Sequence, residues 1–218
     1  MMFRNFGWNE FLMLAAGLQW TVALTVLAFA GSLVAGLLLL VLRTGSVRAL
    51  RWAASLWIQA IQGIPLLGHL VLVFFGLALF EIDVPRWLAA TVALSVYGSA
   101  FLSEIWRGAV GAIPRGQWEA AGALGLRRGH QLRFVILPQA LTIAIPPTVG
   151  FLVQLIKNTS LASIIGLVEL SREAQLVNGA TFAPFVVYGC TSLLYFALCF
   201  PLTTLSRRLE ARRAVRAS

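Results

Sequence analysis

Long apolar runs separated by short, arginine-bearing segments set the plan of this chain. Five runs, at residues 14–42, 52–79, 87–112, 134–156 and 182–205, are long enough to be membrane spans. A helix rising 1.5 Å per residue needs about 20 residues to cross roughly 30 Å of hydrocarbon. The pattern predicts an all-α integral membrane protein with five transmembrane helices and a short helix between the third and fourth spans. No internal repeat and no Pro/Ser linker divides it, so residues 1–218 read as a single transmembrane domain. A loop at about 113–134 and a mobile basic tail at about 206–218 complete the plan.

Composition agrees: 59% of residues are hydrophobic and only 11% charged, too little polar surface for a soluble globule of 218 residues. A cleaved signal peptide is the other reading of the first run, but Leu14 to Leu42 is too long for one. Small residues (Gly17, Gly31, Gly36 in the first span; Gly63, Gly68, Gly76 in the second) are expected to let helices approach closely in lipid. Cys190 and Cys199 lie inside the last run with no metal or redox spacing and read as packing residues.

Charge fixes an expected orientation. Arg43, Arg48 and Arg51 follow the first span, Arg107, Arg115, Arg127, Arg128 and Arg133 the third, and Arg207, Arg208, Arg212, Arg213 and Arg216 the fifth, thirteen of the seventeen basic residues. Arginine is retained on the cytoplasmic side, which places the amino terminus outside and the carboxyl terminus in the cytoplasm. The other side carries Arg4, Arg86, Lys157 and Arg172 mixed with Glu10, Glu81, Asp83, Glu169 and Glu173. A net charge of +9 is accounted for by orientation and by anionic lipid headgroups, so no nucleic acid is implied.

Within the loop, Pro114 can open a helix, Gln117 to Leu124 favour one, and Gly125 offers the left-handed turn that stops it. A second short piece, about Arg127 to Phe134, leads to Pro138 near the start of the fourth span. An amphipathic helix resting on headgroups is one reading. The residues also carry a sharper one. Glu119-Ala120-Ala121, with Gly125 four residues after Ala121 and then Val135-Ile136-Leu137-Pro138, resembles the EAA coupling loop of permease subunits of bacterial ATP-binding-cassette (ABC) importers.

Gly116-Gln117-Trp118, Lys157-Asn158-Thr159-Ser160-Leu161 and Ile165-Gly166-Leu167-Val168-Glu169-Leu170 extend the likeness to the polar amino acid transporter branch with its MetI-like permeases, over about residues 15–212. The resemblance implies an inner-membrane permease whose loop, through Glu119, Ala120, Ala121 and Gly125, couples to a separate ATPase. It implies as partners a second permease subunit, the same chain or a similar one, and two nucleotide-binding ATPase subunits. A periplasmic or extracellular solute-binding protein, an amino acid substrate and membrane lipids complete the set. ATP and magnesium belong to the partner ATPase, because this chain has no Gly-x-x-x-x-Gly-Lys-Ser/Thr phosphate loop and no cofactor of its own is expected.

Polar groups interrupting the spans mark the expected substrate path, since an unpaired polar side chain in hydrocarbon is expensive. They are Gln59, Gln62, His69, Tyr97, Glu104, Gln154 and Lys157, Asn158, Thr159 and Ser160; the resemblance adds Gly63 and Pro65, a glycine and a proline that break a helix near the path in that family. His69 also reads as a helix-to-helix hydrogen-bonding group, the commoner role of such a histidine, and Glu104 equally as the partner of Arg107 three residues on. Pro146-Pro147 is expected to kink the fourth span. Glu169 to Ala180 reads either as a receiving surface for the binding protein or as a solvated loop.

The chain departs from the resembling segments at Gln62, where an arginine is expected, at Ile64 for threonine, at Asn158 for aspartate and at Gly150 for asparagine. A buried cation needs a counter-charge, so the loss at Asn158 favours a neutral or acidic amino acid over a basic one. A secondary transporter would show more spans, repeats and intramembrane acid pairs. No nucleophile, base or metal arrangement suggests chemistry in the chain itself, so a transporter subunit and not an enzyme is expected.

Overall fold

A computed structural model describes the backbone of residues 5–217 and the side chains of residues 5–211. Arg4 and the side chains of Arg212, Arg213 and Arg216 therefore lie outside the described residues. Every regular element among the described residues is helical. They are α1 (Trp8–Thr44), α2 (Arg48–Gly63), α3 (Leu66–Val71), α4 (Arg86–Gly111), α5 (Arg115–Ala123), α6 (Arg128–His130), α7 (Leu137–Asn158), α8 (Leu170–Thr181) and α9 (Pro184–Ala217). Four helices are long and apolar enough to cross a membrane, and five crossings result if the bent pair α2 and α3 counts as one.

The second apolar run is thus a broken span. Ile64 is extended (φ −105°, ψ 131°), as the ring of a following proline requires, Pro65 starts α3, and the chain bends by 102°. α3 then loosens into a π-helical stretch, Leu72–Gly76. A second π-helical stretch, Gln131–Ile136, joins α6 to α7. The expected separate piece at Arg127 to Phe134 is therefore continuous with the fourth span, and the widened turn comes where Pro138 lacks an amide donor. α7 runs unbroken through Pro146 and Pro147. Beyond it, the 3-10 stretch Thr159–Ile165 ends at Gly166, whose φ of +77° is left-handed.

Small side chains draw α1 and α4 together in parallel. A Cβ added at Gly98 would stand 2.1 Å from Ser32 Oγ, one at Gly31 2.3 Å from Ser95 Oγ, and one at Gly36 3.1 Å from the Ser99 carbonyl. The serine hydroxyls are satisfied there: Ser32 donates to the Ala28 carbonyl at 2.7 Å and Ser95 to the same oxygen at 3.2 Å. Gly63 and Gly76, expected to serve the same end, have no neighbour within 4 Å of such a Cβ. Within this chain, therefore, neither glycine makes a close contact with another helix.

α7 runs opposite to α4: Trp106 donates to Thr148 at 3.1 Å, while Phe101 stacks on Phe151 at 5.7 Å. α9 runs opposite to α7, with Ser206 donating to the Pro146 carbonyl at 2.9 Å and Cys199 packed beside Val153 and Ile156. Hence α1, α4 and α9 share one direction, and the basic segments that follow them leave the bundle at the same end. The expected tail is a helical continuation of α9 through Ala217.

At the opposite end, the segment from Glu169 is not a solvated loop. Glu169 caps α8, whose Leu170, Ala174 and Val177 are buried against Leu14 of α1 and Val187 of α9. Gly17 allows this contact, since a Cβ there would meet the Leu170 backbone at 2.9 Å. Trp20 meets Trp87 edge-on at 5.5 Å near the start of α4, so the first turns of α1 extend beyond α4 and pack on α8 and α9.

Candidate functional site

α5 is a short helix bounded by sequence signals at both ends. Pro114 precedes it, and Gly125 closes it at φ +73°. The amides of Gly125 and Leu126 return to the carbonyls of Gly122 (2.9 Å) and Ala121 (3.2 Å), the paired bonds of a Schellman motif. Glu119 and Ala120 are exposed on its outer face, while Ala121 is buried against the bundle. Trp118 packs with Ile113, Ile136 and Val110, and Gln139 of α7 donates to Gln117 at 3.1 Å. Gln131 bonds the Leu126 carbonyl at 2.7 Å, so the segment is held to the π-helical stretch that leads into α7.

The polar groups of the spans divide into two sets along α4. Gln62 reaches the Ala100 carbonyl at 3.5 Å, and His69, buried, lies edge-on to Tyr97 at 6.0 Å. His69 Nδ1 is 3.3 Å from the Pro65 carbonyl, which leaves Nε2 buried with no partner. Gly63 and Pro65 are exposed at the bend. Gln59 bonds Ser55 at 3.1 Å, and Gln154 is exposed. At the end of α7, Lys157 is exposed, while Thr159 and Ser160 turn their hydroxyls onto the Ile156 and Lys157 carbonyls at 2.7 and 2.6 Å. Asn158 keeps a buried amide nitrogen without a partner. Ser103 Oγ, Glu173 Oε2 and Asn178 Oδ1 are likewise buried without a partner within the chain, so the feature does not single out His69 and Asn158.

Glu104 stands apart, two helical turns or about 10 Å farther along α4. Its carboxylate accepts from Arg107 Nε at 3.1 Å and Nη2 at 2.8 Å, and it also pairs with Arg43 at the end of α1. Glu104 also lines a cavity of about 420 Å³ with Ile143, Pro146, Pro147 and Glu210. Arg43 escapes a sequence reading because 61 residues separate it from its partner; only the excess of arginine at one end hints at it.

A third polar cluster lies at the far end. Glu169 is fully buried and accepts from the Arg172 amide at 2.9 Å, the Tyr195 hydroxyl at 3.0 Å and the Thr21 hydroxyl at 3.3 Å. Burial pushes its carboxyl above the ordinary carboxylate range, and these hydrogen bonds oppose the rise. Glu173, one turn on, is shifted the same way by burial. The apolar stripe Leu170, Ala174, Val177 was the signal that this segment is a packed helix.

The model of the family described as binding-protein-dependent transport system inner membrane component matches residues 28–215. The L-cystine transport system permease protein TcyB of Bacillus subtilis is 36% identical over 200 residues, 91% of this chain and 86% of that protein. The glutamine transport system permease protein GlnP of Escherichia coli is 33% identical over 210 residues, 95% of this chain and 96% of that one. A solved structure described as an amino acid ABC transporter with histidines superposes with a TM-score of 0.88 at 31% identity, covering 92% of this chain and 94% of that chain. With that coverage, the chain belongs to the family of inner-membrane components of binding-protein-dependent transport systems, the permease subunits of ABC importers.

Proposed function

We propose that this permease carries an amino acid inward, with α5 as the element through which a separate ATPase drives it. The observation that carries the reading is the placement of Glu119 and Ala120, exposed on a helix capped by Gly125 at the arginine-rich end of the bundle. Glu119 offers its carboxylate to a basic group of the ATPase, Ala120 permits close approach, and Gly125 sets the turn. A push on α5 passes into α4 and α7 through Trp118, Gln117 and Gln131.

The arginine-rich end is cytoplasmic and the amino terminus outside. A second permease, the same chain or a similar one, completes the path, two ATPase subunits bind ATP and magnesium, and a solute-binding protein delivers cargo to the α8 end. The path runs by Gln62, Gly63, Pro65 and His69, past Lys157, Asn158, Thr159 and Ser160, to the cavity beside Glu104. The relatives named for cystine and glutamine support an amino acid, and the absence of an acid at Asn158 supports a neutral or acidic one.

The test is uptake into vesicles holding the permease, its ATPase and its solute-binding protein. Uptake of glutamine or glutamate that requires ATP supports the reading. Uptake without the ATPase overturns it, and a binding protein that prefers arginine or lysine overturns the neutral or acidic preference.

A further inference from the structure

At the end of the bundle away from the arginine clusters, a cavity of about 610 Å³ opens between Trp20 of α1, the connection before α4 and the turn at Gly166. Trp20, Phe74 and Trp87 give it aromatic walls, and Asp83 and Arg86 give it one charge of each sign. Neither joins the ion pairs of the described residues, which link Glu104 to Arg43 and Arg107. The Arg86 guanidinium lies against the left-handed Gly166 turn, where a Cβ would stand 3.5 Å from Nε and 3.6 Å from Cζ. An exposed cation and a separate exposed carboxylate in one aromatic cavity match a ligand that carries an anion beside an ammonium.

We propose that this cavity holds the headgroup of a zwitterionic phospholipid, its phosphate against Arg86 and its ammonium against Asp83. A free amino acid bears the same two charges, but the surroundings favour lipid. The connection that supplies Asp83 also exposes Leu79, Phe80 and Ile82, an apolar rim suited to acyl chains and unsuited to a water-filled vestibule. Tryptophan at both walls fits the headgroup level of a bilayer. The proposal requires only that the bundle sits in a membrane, so it stands apart from the identity of the cargo.

The test is lipid titration of the purified permease and ATPase complex, read by native mass spectrometry with phosphatidylethanolamine and phosphatidylglycerol. The intact complex is expected to bind phosphatidylethanolamine more tightly. Asp83→Asn should weaken phosphatidylethanolamine about fivefold and leave phosphatidylglycerol unchanged, whereas Arg86→Ala should weaken both by about that factor. Asp83 is exposed, so its replacement leaves assembly intact, and Arg86→Lys, which keeps the cation, is expected to retain binding. Equal binding of the two lipids, an Asp83→Asn complex that binds like the parent, or displacement of the lipid by excess glutamine would overturn the proposal.

Discussion

The Tyr195 hydroxyl of α9 donates to the carboxylate of Glu169, the cap of α8, at 3.0 Å. Thr21 of α1 reaches the same oxygen, so one buried side chain ties three helices together at the end of the bundle assigned to cargo delivery. Glu169→Ala would remove the cap of the Arg172 amide, leave the Thr21 hydroxyl only the Gly17 carbonyl at 3.4 Å and the Tyr195 hydroxyl only Ser171, and open a void, a loss of about 2–4 kcal/mol. Glu169→Gln keeps an acceptor and should lose much less. Thermal unfolding of the purified complex checks this, and equal midpoints for the alanine variant and the parent would contradict it.

The same carboxyl gives a pH signature. Burial raises its pKa in the folded state above the ordinary value of 4.5, so the folded protein holds the proton more tightly than the unfolded chain. The stabilisation this gives is complete below the ordinary value and is lost as pH rises through the raised one. Glu173 shifts in the same direction and keeps its share in any Glu169 variant. Stability of the parent should therefore fall more steeply than that of Glu169→Gln as pH rises from about 4.5 through the raised value. Parallel profiles would refute the assignment.

Apolar runs at 14–42 and 87–112 anticipate α1 (Trp8–Thr44) and α4 (Arg86–Gly111) because hydropathy over a span is a local property. The stop at Gly125 was legible for the same reason, being set by one residue's backbone, whereas the break at Pro65 was expected only through the family resemblance, the apolar run 52–79 reading as one span. Glu169 was not, because its partners Thr21 and Tyr195 lie 148 and 26 residues away. Nor was the triad of Arg43, Glu104 and Arg107, of which only the pair within α4 follows from spacing. In the second span the glycines looked like those of the first, but the helix that Gly31 and Gly36 touch exists only in three dimensions.

Gly98 and Ser32 form the tightest point between α1 and α4. Gly98→Ala would drive a Cβ to 2.8 Å from Ser32 Cβ, and should destabilise by about 1–3 kcal/mol. Adding Ser32→Gly removes the obstructing atoms and should recover part of the loss. A double variant no more stable than Gly98→Ala would show that the contact is not the cause.

Glu104 neutralises two arginines at the ends of α1 and α4. Glu104→Ala leaves Arg43 and Arg107 facing each other in a half-buried site, which should cost about 1–3 kcal/mol. Arg43→Gln in the same chain should return some of it. The thermal midpoint of single and double variants measures the coupling, and strictly additive effects would argue that Glu104 does not join the two helices.

The claim that α5 receives the force of ATP hydrolysis rests on Glu119, an exposed residue whose replacement leaves the bundle's own contacts untouched. The direct measurement is substrate-stimulated ATP hydrolysis by the reconstituted complex carrying Glu119→Arg. Loss of stimulation, with the permease's own fold and thermal stability unchanged, is the predicted result; stimulation equal to that of the parent complex would contradict it.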